Sequence, residues 1–280
     1  MTKKVKNIKS KINKEKKDIN ISDTFNFEQY GRTILAAVLI ILILVAGYFS
    51  YQYKNGKLGE NTKDKVKEEY KPTEDEIKFK EEYESLNGTK RSNGEINKKI
   101  EIDSDNNIVY ISIDEASDLL KEGSGIIYFG FSACPWCHNA LPSLINAMKV
   151  TKLDTIYYVN LRPNDDSSKD IRAQYQIIKN KIKLTREASS PKYDSVLESL
   201  NDYLEDYTLT NEAGKVFNTG KKVLGAPTIA AVKNGTILGA HTGTYKGHKK
   251  IDGALPDLTQ TQQIELQNIY TNLILKYLGN

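Results

Sequence analysis

Ile126-Ile127-Tyr128-Phe129-Gly130-Phe131-Ser132-Ala133-Cys134-Pro135-Trp136-Cys137-His138 is the stretch from which the rest of the chain is read. Its first six residues form an apolar run of strand length, expected to be the central strand of a sheet. The two cysteines, the only ones in 280 residues, follow with two residues between them and open a helical pattern that ends near Val150. A helix N-terminus carries unpaired N–H groups and a partial positive charge, which favour a thiolate over a thiol at Cys134. The thiolate is the nucleophile of disulfide exchange, and Cys137, one helical turn on, is placed to resolve the mixed disulfide.

The same letters admit other chemistry. C-x-x-C-H is also the attachment pattern for c-type haem. A zinc site would need two or more ligands beyond the pair, and the other histidines are His241 and His248. Two cysteines can also serve as small buried hydrophobes. The expected reading is a redox dithiol, with no metal and no cofactor beyond a Cys134–Cys137 disulfide.

The charge is uneven. Residues 1–32 carry nine basic against four acidic residues, and the remainder carries 31 against 32. The overall +4 is thus a property of the tail, and the rest shows no basic excess that would suggest nucleic-acid binding. Thr33 to Tyr51 then runs for nineteen residues without a charge. As a helix it would reach roughly 28 Å, close to the thickness of a bilayer core. The expected organisation is a basic cytoplasmic tail (1–32), a transmembrane helix (33–51), a charged linker with a short helix (52–95) and a folded domain (96–280). Lysines lie on both sides of the span. The orientation, with the N-terminus in the cytoplasm and the C-terminal domain outside the cell membrane, rests on the cost of carrying the lysine-rich tail across.

Thr73 and Glu76 form a capping box that predicts a helix through Ile77, Phe79, Tyr83 and Leu86, whose thin apolar face reads as a spacer. Lys99 to Asp103 and Ile108 to Ile111 read as short strands. Ser112 and Glu115 form a second capping box, for a helix ending at Gly123. In the helix after the dithiol, Ala140, Leu141, Leu144, Ile145 and Met148 make one apolar stripe, and Pro142 interrupts the hydrogen-bond ladder. Thr155 to Leu161 is a further buried strand, so β-α-β-α-β order implies parallel strands joined by helical crossovers. Residues 162 to about 221 break that rhythm, with helical patterns at Ile171 to Ile182 and Tyr193 to Tyr203 and a hairpin at Tyr207 to Phe217. After this insertion, Gly225-Ala226-Pro227-Thr228 leads into a hairpin turning at Asn234-Gly235. A last helix runs from Thr259 or Thr261 to Tyr277, with Ile264, Ile269, Leu273, Ile274 and Leu278 as its apolar side.

These features together resemble the thioredoxin superfamily. The likeness covers roughly residues 95–162 and 222–278. It rests on the strand before Cys134-Pro135-Trp136-Cys137, on Pro142 five residues after the second cysteine, and on Ala226-Pro227-Thr228 opening an antiparallel hairpin. It implies an α/β fold with a central mixed sheet flanked by helices, here with one helical insertion and an N-terminal transmembrane helix. It also implies an exposed attacking thiol at Cys134, a buried resolving thiol at Cys137, and a cis-proline at Pro227. Ala226 would then offer its backbone to an extended substrate. Pro135, Trp136 and His138 would tune the site: His138 either stabilises the thiolate when protonated or is a solvent-exposed residue of the first turn. One departure concerns the strand position six before the first cysteine, where thioredoxins often hold a buried acid that accepts the resolving thiol's proton; here it is Tyr128.

The anchored form and the Tyr128-Phe129-Gly130-Phe131 strand are also similar to membrane-anchored thioredoxin-like proteins of Gram-positive bacteria, including the group called bacteriocin transport accessory proteins. The expected function is a membrane-tethered thiol-disulfide oxidoreductase acting on exported proteins or peptides that carry cysteines. Its partner would be a membrane redox protein or a transporter. The alternatives are a chaperone-like or transporter-accessory binding module with a secondary redox role, and a reductase for apocytochrome or other client thiols.

Overall fold

Gly125–Gly130 (β2) is buried along its whole length, as a strand with no polar face must be. In the computed structural model, which describes residues 27–54, 70–91 and 94–279, β2 lies in the middle of a five-stranded sheet ordered β1-β3-β2-β8-β9. Here β1 is Ile108–Tyr110, β3 is Ile156–Asn160, β8 is Thr228–Lys233 and β9 is Thr236–Thr242. Strands β1, β3 and β2 run parallel, whereas β8 is antiparallel to both β2 and β9. The result is a mixed α/β fold whose central mixed sheet is flanked by helices.

The chain divides into two compact units, Met1–Glu69 and Tyr70–Asn280. In the first, the described part is one helix, α1 (Phe27–Lys54). Among the described residues no helix is long and apolar enough to cross a membrane. The span expected at 33–51 falls within α1, where the side chains of residues 33, 35 and 49 are outside the described ones. The expected basic tail up to residue 26 and the linker over 55–69 also lie outside the described residues.

The second unit begins at Tyr70, earlier than the sequence suggested. The helix expected as a spacer, α2 (Glu74–Glu84), is part of the core: its thin apolar face consists of two large rings, Phe79 and Tyr83, both fully buried. Its capping box forms as expected, with Thr73 N donating to Glu76 Oε2 at 2.7 Å. Its acidic first turn also holds the outer edge of the sheet. Tyr110 N donates to Asp75 Oδ2 at 2.9 Å and Asn107 N to Glu76 Oε1 at 2.9 Å. These bonds satisfy donors at a sheet edge that would otherwise be open to another strand.

The crossovers are α3 (Ile113–Glu122), which carries the Ser112–Glu115 capping box, and α4 (Pro135–Thr151), which contains Pro142. Lys99 to Asp103 is not a strand. Ile100 and Ile102 are buried, and their backbone N–H groups donate to the side chains of Asn87 (3.0 Å) and Glu84 (2.7 Å), not to a neighbouring strand. The segment 171–182, expected to be helical, is instead a hairpin of β4 (Gln174–Ile178) and β5 (Lys181–Arg186). Its turn residues Lys179 and Asn180 both take positive φ (50° and 57°), which suits the right-handed twist of a two-residue hairpin loop. The insertion is therefore two hairpins, the second of β6 (Glu205–Thr210) and β7 (Val216–Val223), with one helix between them, α5 (Lys192–Ser199). Helix α5 is fixed to α3 by Lys192 on Asp118 (2.7 Å) and Lys121 on Ser195 (3.1 Å).

The Asn234-Gly235 turn between β8 and β9 docks on the end of α3. Gly235 has φ 71° and donates to Gly123 O at 2.9 Å, and a Cβ there would lie 2.0 Å from Lys121 O, so only glycine fits. The last helix, α6 (Gln260–Leu278), is capped by Thr259 and buries Leu266, Tyr270, Leu273 and Ile274. Ile264 and Leu278 are exposed, because the buried face is centred further round the helix than the expected stripe. Truncating a fully buried ring leaves a cavity, so Phe79→Ala is expected to destabilise the protein by about 3–5 kcal/mol in urea unfolding followed by circular dichroism. Stability equal to the parent would return α2 to the role of a spacer.

Candidate active site

The pairing of β2 with β8 assembles the site. Phe129 is in register with Thr228 across an antiparallel pair. The residues after Phe129 and those before Thr228 therefore emerge at the same end of the sheet. One exit carries Phe131 to Cys134; the other is Leu224 to Pro227. Cys134 Sγ sits 3.4 Å from Ala226 O, and the Ala226–Pro227 peptide bond is cis. Gly243 N donates to Pro227 O at 2.7 Å, tying the loop to the strand beyond.

Cys134 is the N-cap of α4, with extended φ and ψ (−77°, 116°), and its sulfur accepts the Cys137 backbone N–H at 3.4 Å. This is the orphan donor of a helix terminus turned on a sulfur, as the sequence pattern implied. In the protonated form Cys134 donates to Ala226 O; as a thiolate it can only accept. Both cysteines are free thiols. Burial pushes the Cys134 thiol up. The Cys137 thiol, the backbone N–H groups of Cys137 and Trp136, and the Arg172 guanidinium outweigh it and leave Cys134 below its ordinary value. Burial and the neighbouring Cys134 hold Cys137 well above its own. The two thiols are thus pushed apart, with Cys134 the more acidic of the pair.

Cys134 is less exposed than expected, with only 4% of its surface open. The insertion adds a charge that acts on this sulfur, Arg172. Arg172 is held by a fork onto Asp170, with Nε to Oδ1 at 2.8 Å and Nη2 to Oδ2 at 2.6 Å, while its Nη1 donates to Leu224 O at 3.2 Å. Arg162 also reaches Asp170 (3.1 Å) and lies over the Phe131 ring at 4.3 Å. Asp170 is buried, and although burial pushes its carboxyl up, the Arg172 guanidinium holds it below its usual range. The pair is thereby a fixed charge cluster bracing the strand exit and the Pro227 loop. On the other side, Asp165 accepts from Ser132 Oγ (2.7 Å) and Ala133 N (2.8 Å), which fixes the turn just before Cys134.

Of the remaining residues singled out, Pro135 opens the helix and Trp136 is half-buried, its ring edge-on to His248 at 5.0 Å. His248 is itself fixed: its Nε2 donates to Pro256 O at 2.7 Å, and its Nδ1 lies 2.7 Å from Thr244 Oγ1. His138 fits neither of its expected roles. It is fully buried, its ring lies 5.6 Å from that of Tyr83, and burial, then the Arg91 charge, lowers its pKa. A neutral buried imidazole offers the thiolate no charge.

Arg172 and Asp165 carried no motif. Composition did hold a signal for the arginine: the chain has 35 lysines and only five arginines. Arg162 and Arg172 flank Asp170, as two-pronged binding of a buried carboxylate requires. Among the described residues no group of three or more His, Cys, Asp or Glu side chains is placed to hold a metal ion. No protein-family model, curated protein or solved structure matches this chain.

Replacing the Arg172 charge removes one cause of the lowered Cys134 pKa. In Arg172→Met, the midpoint of the pH profile for iodoacetamide alkylation of Cys134, followed by peptide mass, is expected to move up. Because only the thiolate reacts, alkylation at pH 7 should slow. An unmoved midpoint would remove Arg172 from the site's electrostatics.

Proposed function

We propose that this chain is a membrane-anchored thiol-disulfide oxidoreductase with a thioredoxin-like fold, exchanging disulfides with exported cysteine-containing proteins or peptides through Cys134 and Cys137. The observation that carries the reading is the dithiol itself: a sulfur at a helix N-terminus, 3.4 Å from its partner's backbone N–H and 3.4 Å from the Ala226 carbonyl. Each contact serves a step. The N–H groups stabilise the attacking thiolate, the loop of Ala226 and Pro227 beside it offers its backbone to the client, and the buried second thiol waits one turn away to close the intramolecular disulfide.

The sheet order, the proline within α4 and the Pro227 loop support the thioredoxin-like reading beyond the dithiol alone. A haem-attachment reading has less support, since it needs Cys134, Cys137 and His138 all accessible to a porphyrin, and Cys137 and His138 are fully buried. For the anchor, Ile34 and Val38 to Val45 on α1 are between 45% and 67% exposed, an apolar surface that water disfavours and lipid does not. With the lysine-rich tail retained in the cytoplasm, the dithiol works outside the cell membrane, where disulfides persist.

The exchange step has a covalent signature. With a disulfide-bonded peptide, Cys137→Ala is expected to accumulate a peptide adduct on Cys134, visible by mass spectrometry without reductant. Cys134→Ser should form none, and the parent protein should hold one only transiently. Absence of any adduct from Cys137→Ala would overturn the reading and favour a binding module in which the dithiol is secondary.

A further inference from the structure

Beneath the dithiol, three tyrosines from three elements are buried together: Tyr83 of α2, Tyr128 of β2 and Tyr158 of β3. The rings of Tyr128 and Tyr158 stack at 5.2 Å, and Phe79 meets Tyr158 edge-on at 5.0 Å. Packing alone would be met by phenylalanine, as at Phe79 and Phe129. A buried hydroxyl adds a desolvation cost that only a hydrogen bond offsets. Here the hydroxyls of Tyr83 and Tyr128 are 2.9 Å apart, both out of reach of water.

Gly130 shows where the Tyr128 hydroxyl is aimed. A Cβ at residue 130 would fall 2.6 Å from both Cζ and Oη of Tyr128, so the ring lies along the strand over a position that only glycine leaves open. The hydroxyl is thereby carried to the C-terminal end of β2, where the chain turns into the dithiol loop. There the Tyr128 phenol and the Phe131 backbone N–H both act on the buried Cys137 thiol, lowering its pKa against the larger effect of burial. A phenol that donates to sulfur has its oxygen free to accept, which gives the Tyr83 hydroxyl its partner.

We infer that Tyr128, held in place by Tyr83, is a positioning residue for the resolving step: its hydroxyl donates a hydrogen bond to the Cys137 sulfur as that sulfur becomes the attacking thiolate. The inference rests on the exchange reading above. In the step, the Cys137 sulfur attacks the Cys134 sulfur, the bond from Cys134 to the client sulfur breaks, and the client thiolate leaves with the electron pair and takes up the proton shed by Cys137. Across both steps the client disulfide gains two electrons and the dithiol loses them. The tyrosines do not take the proton, because burial holds both phenols well above their ordinary value and they stay protonated. They lower the cost of a buried negative sulfur, the role a preorganised donor plays at a site closed to water. The arrangement also gives α2 a function, since Tyr83 is the part of that helix that reaches the site.

The titratable groups facing Cys137 are Cys134 on its own helix, Tyr128 from β2, Tyr83 from α2 and Tyr270 from α6, with His138 beside it. Of these, Cys134 raises the Cys137 pKa and Tyr128 lowers it. The test is a single-turnover reaction of the reduced full-length protein with glutathione disulfide, acid-quenched and read by mass spectrometry from pH 5 to 9. It separates formation of the Cys134–glutathione adduct from its resolution. In Tyr128→Phe, formation should match the parent, resolution should slow about tenfold, and the pH profile of resolution should move to higher pH. Tyr83→Phe should shift the same step in the same direction by less. A merely structural loss would slow both steps alike. If resolution and its pH profile in Tyr128→Phe equal the parent's, the inference is overturned and the exchange reading stands. If the parent itself forms no adduct, the exchange reading fails and this inference with it.

Discussion

The site depends on one pairing, the antiparallel register of β2 with β8. A parallel neighbour would send its N-terminal loop to the opposite end of the sheet, far from the dithiol. Because Phe129 faces Thr228 across antiparallel strands, the exit that ends in Cys134 and the entry through Ala226 and Pro227 share one edge. Other features hold that meeting in place. Gly243 bonds the Pro227 carbonyl, Asp165 fixes Ser132 and Ala133, and Arg172 clasps the Leu224 carbonyl while gripping Asp170. A one-residue slip of β8 would reverse which side chains face the core and remove the loop from the sulfur together.

Two opposed effects act on the sulfurs. Burial disfavours either thiolate, and at Cys137 it wins. At Cys134 it loses to donors gathered from several sources, namely the helix N-terminus, the Cys137 thiol and a guanidinium from the insertion. A nearly enclosed sulfur can thus remain the more acidic of the pair. This arrangement needs fixed donors, because bulk water reaches little of the site. It also gives the insertion and the helix before the sheet a physical tie to the dithiol: Arg172 comes from the first, and Tyr83 from the second.

Much of this was legible because its signals are local. A strand feeding C-P-W-C into a helix, capping boxes at Thr73 and Ser112, and Asn234-Gly235 between apolar runs each specify their own geometry over a few residues. The hairpin at 174–186 was misread because isoleucines at 171, 177, 178 and 182 fall at helical spacing, and its turn uses Lys179 and Asn180 with no glycine to mark it. Helix α2 was misjudged by counting apolar residues: two rings and two carboxylates bind it to the core and the sheet edge. His138 and the exposure of Cys134 were illegible for a different reason. Both involve chain distant in sequence, Tyr83 beside His138 and Ala226 beside Cys134, and no periodicity reports on what covers a residue.

The central claim is that Cys134 and Cys137 form a reversible disulfide. The most direct measurement is the equilibrium reduction potential of the purified protein, poised against glutathione or dithiothreitol and followed by thiol content and Trp136 fluorescence. A reversible Cys134–Cys137 disulfide gives a single two-electron transition, within the range of about −270 to about −120 mV spanned by dithiols that reduce or donate disulfides. Cysteines that stay reduced at every poise would contradict it.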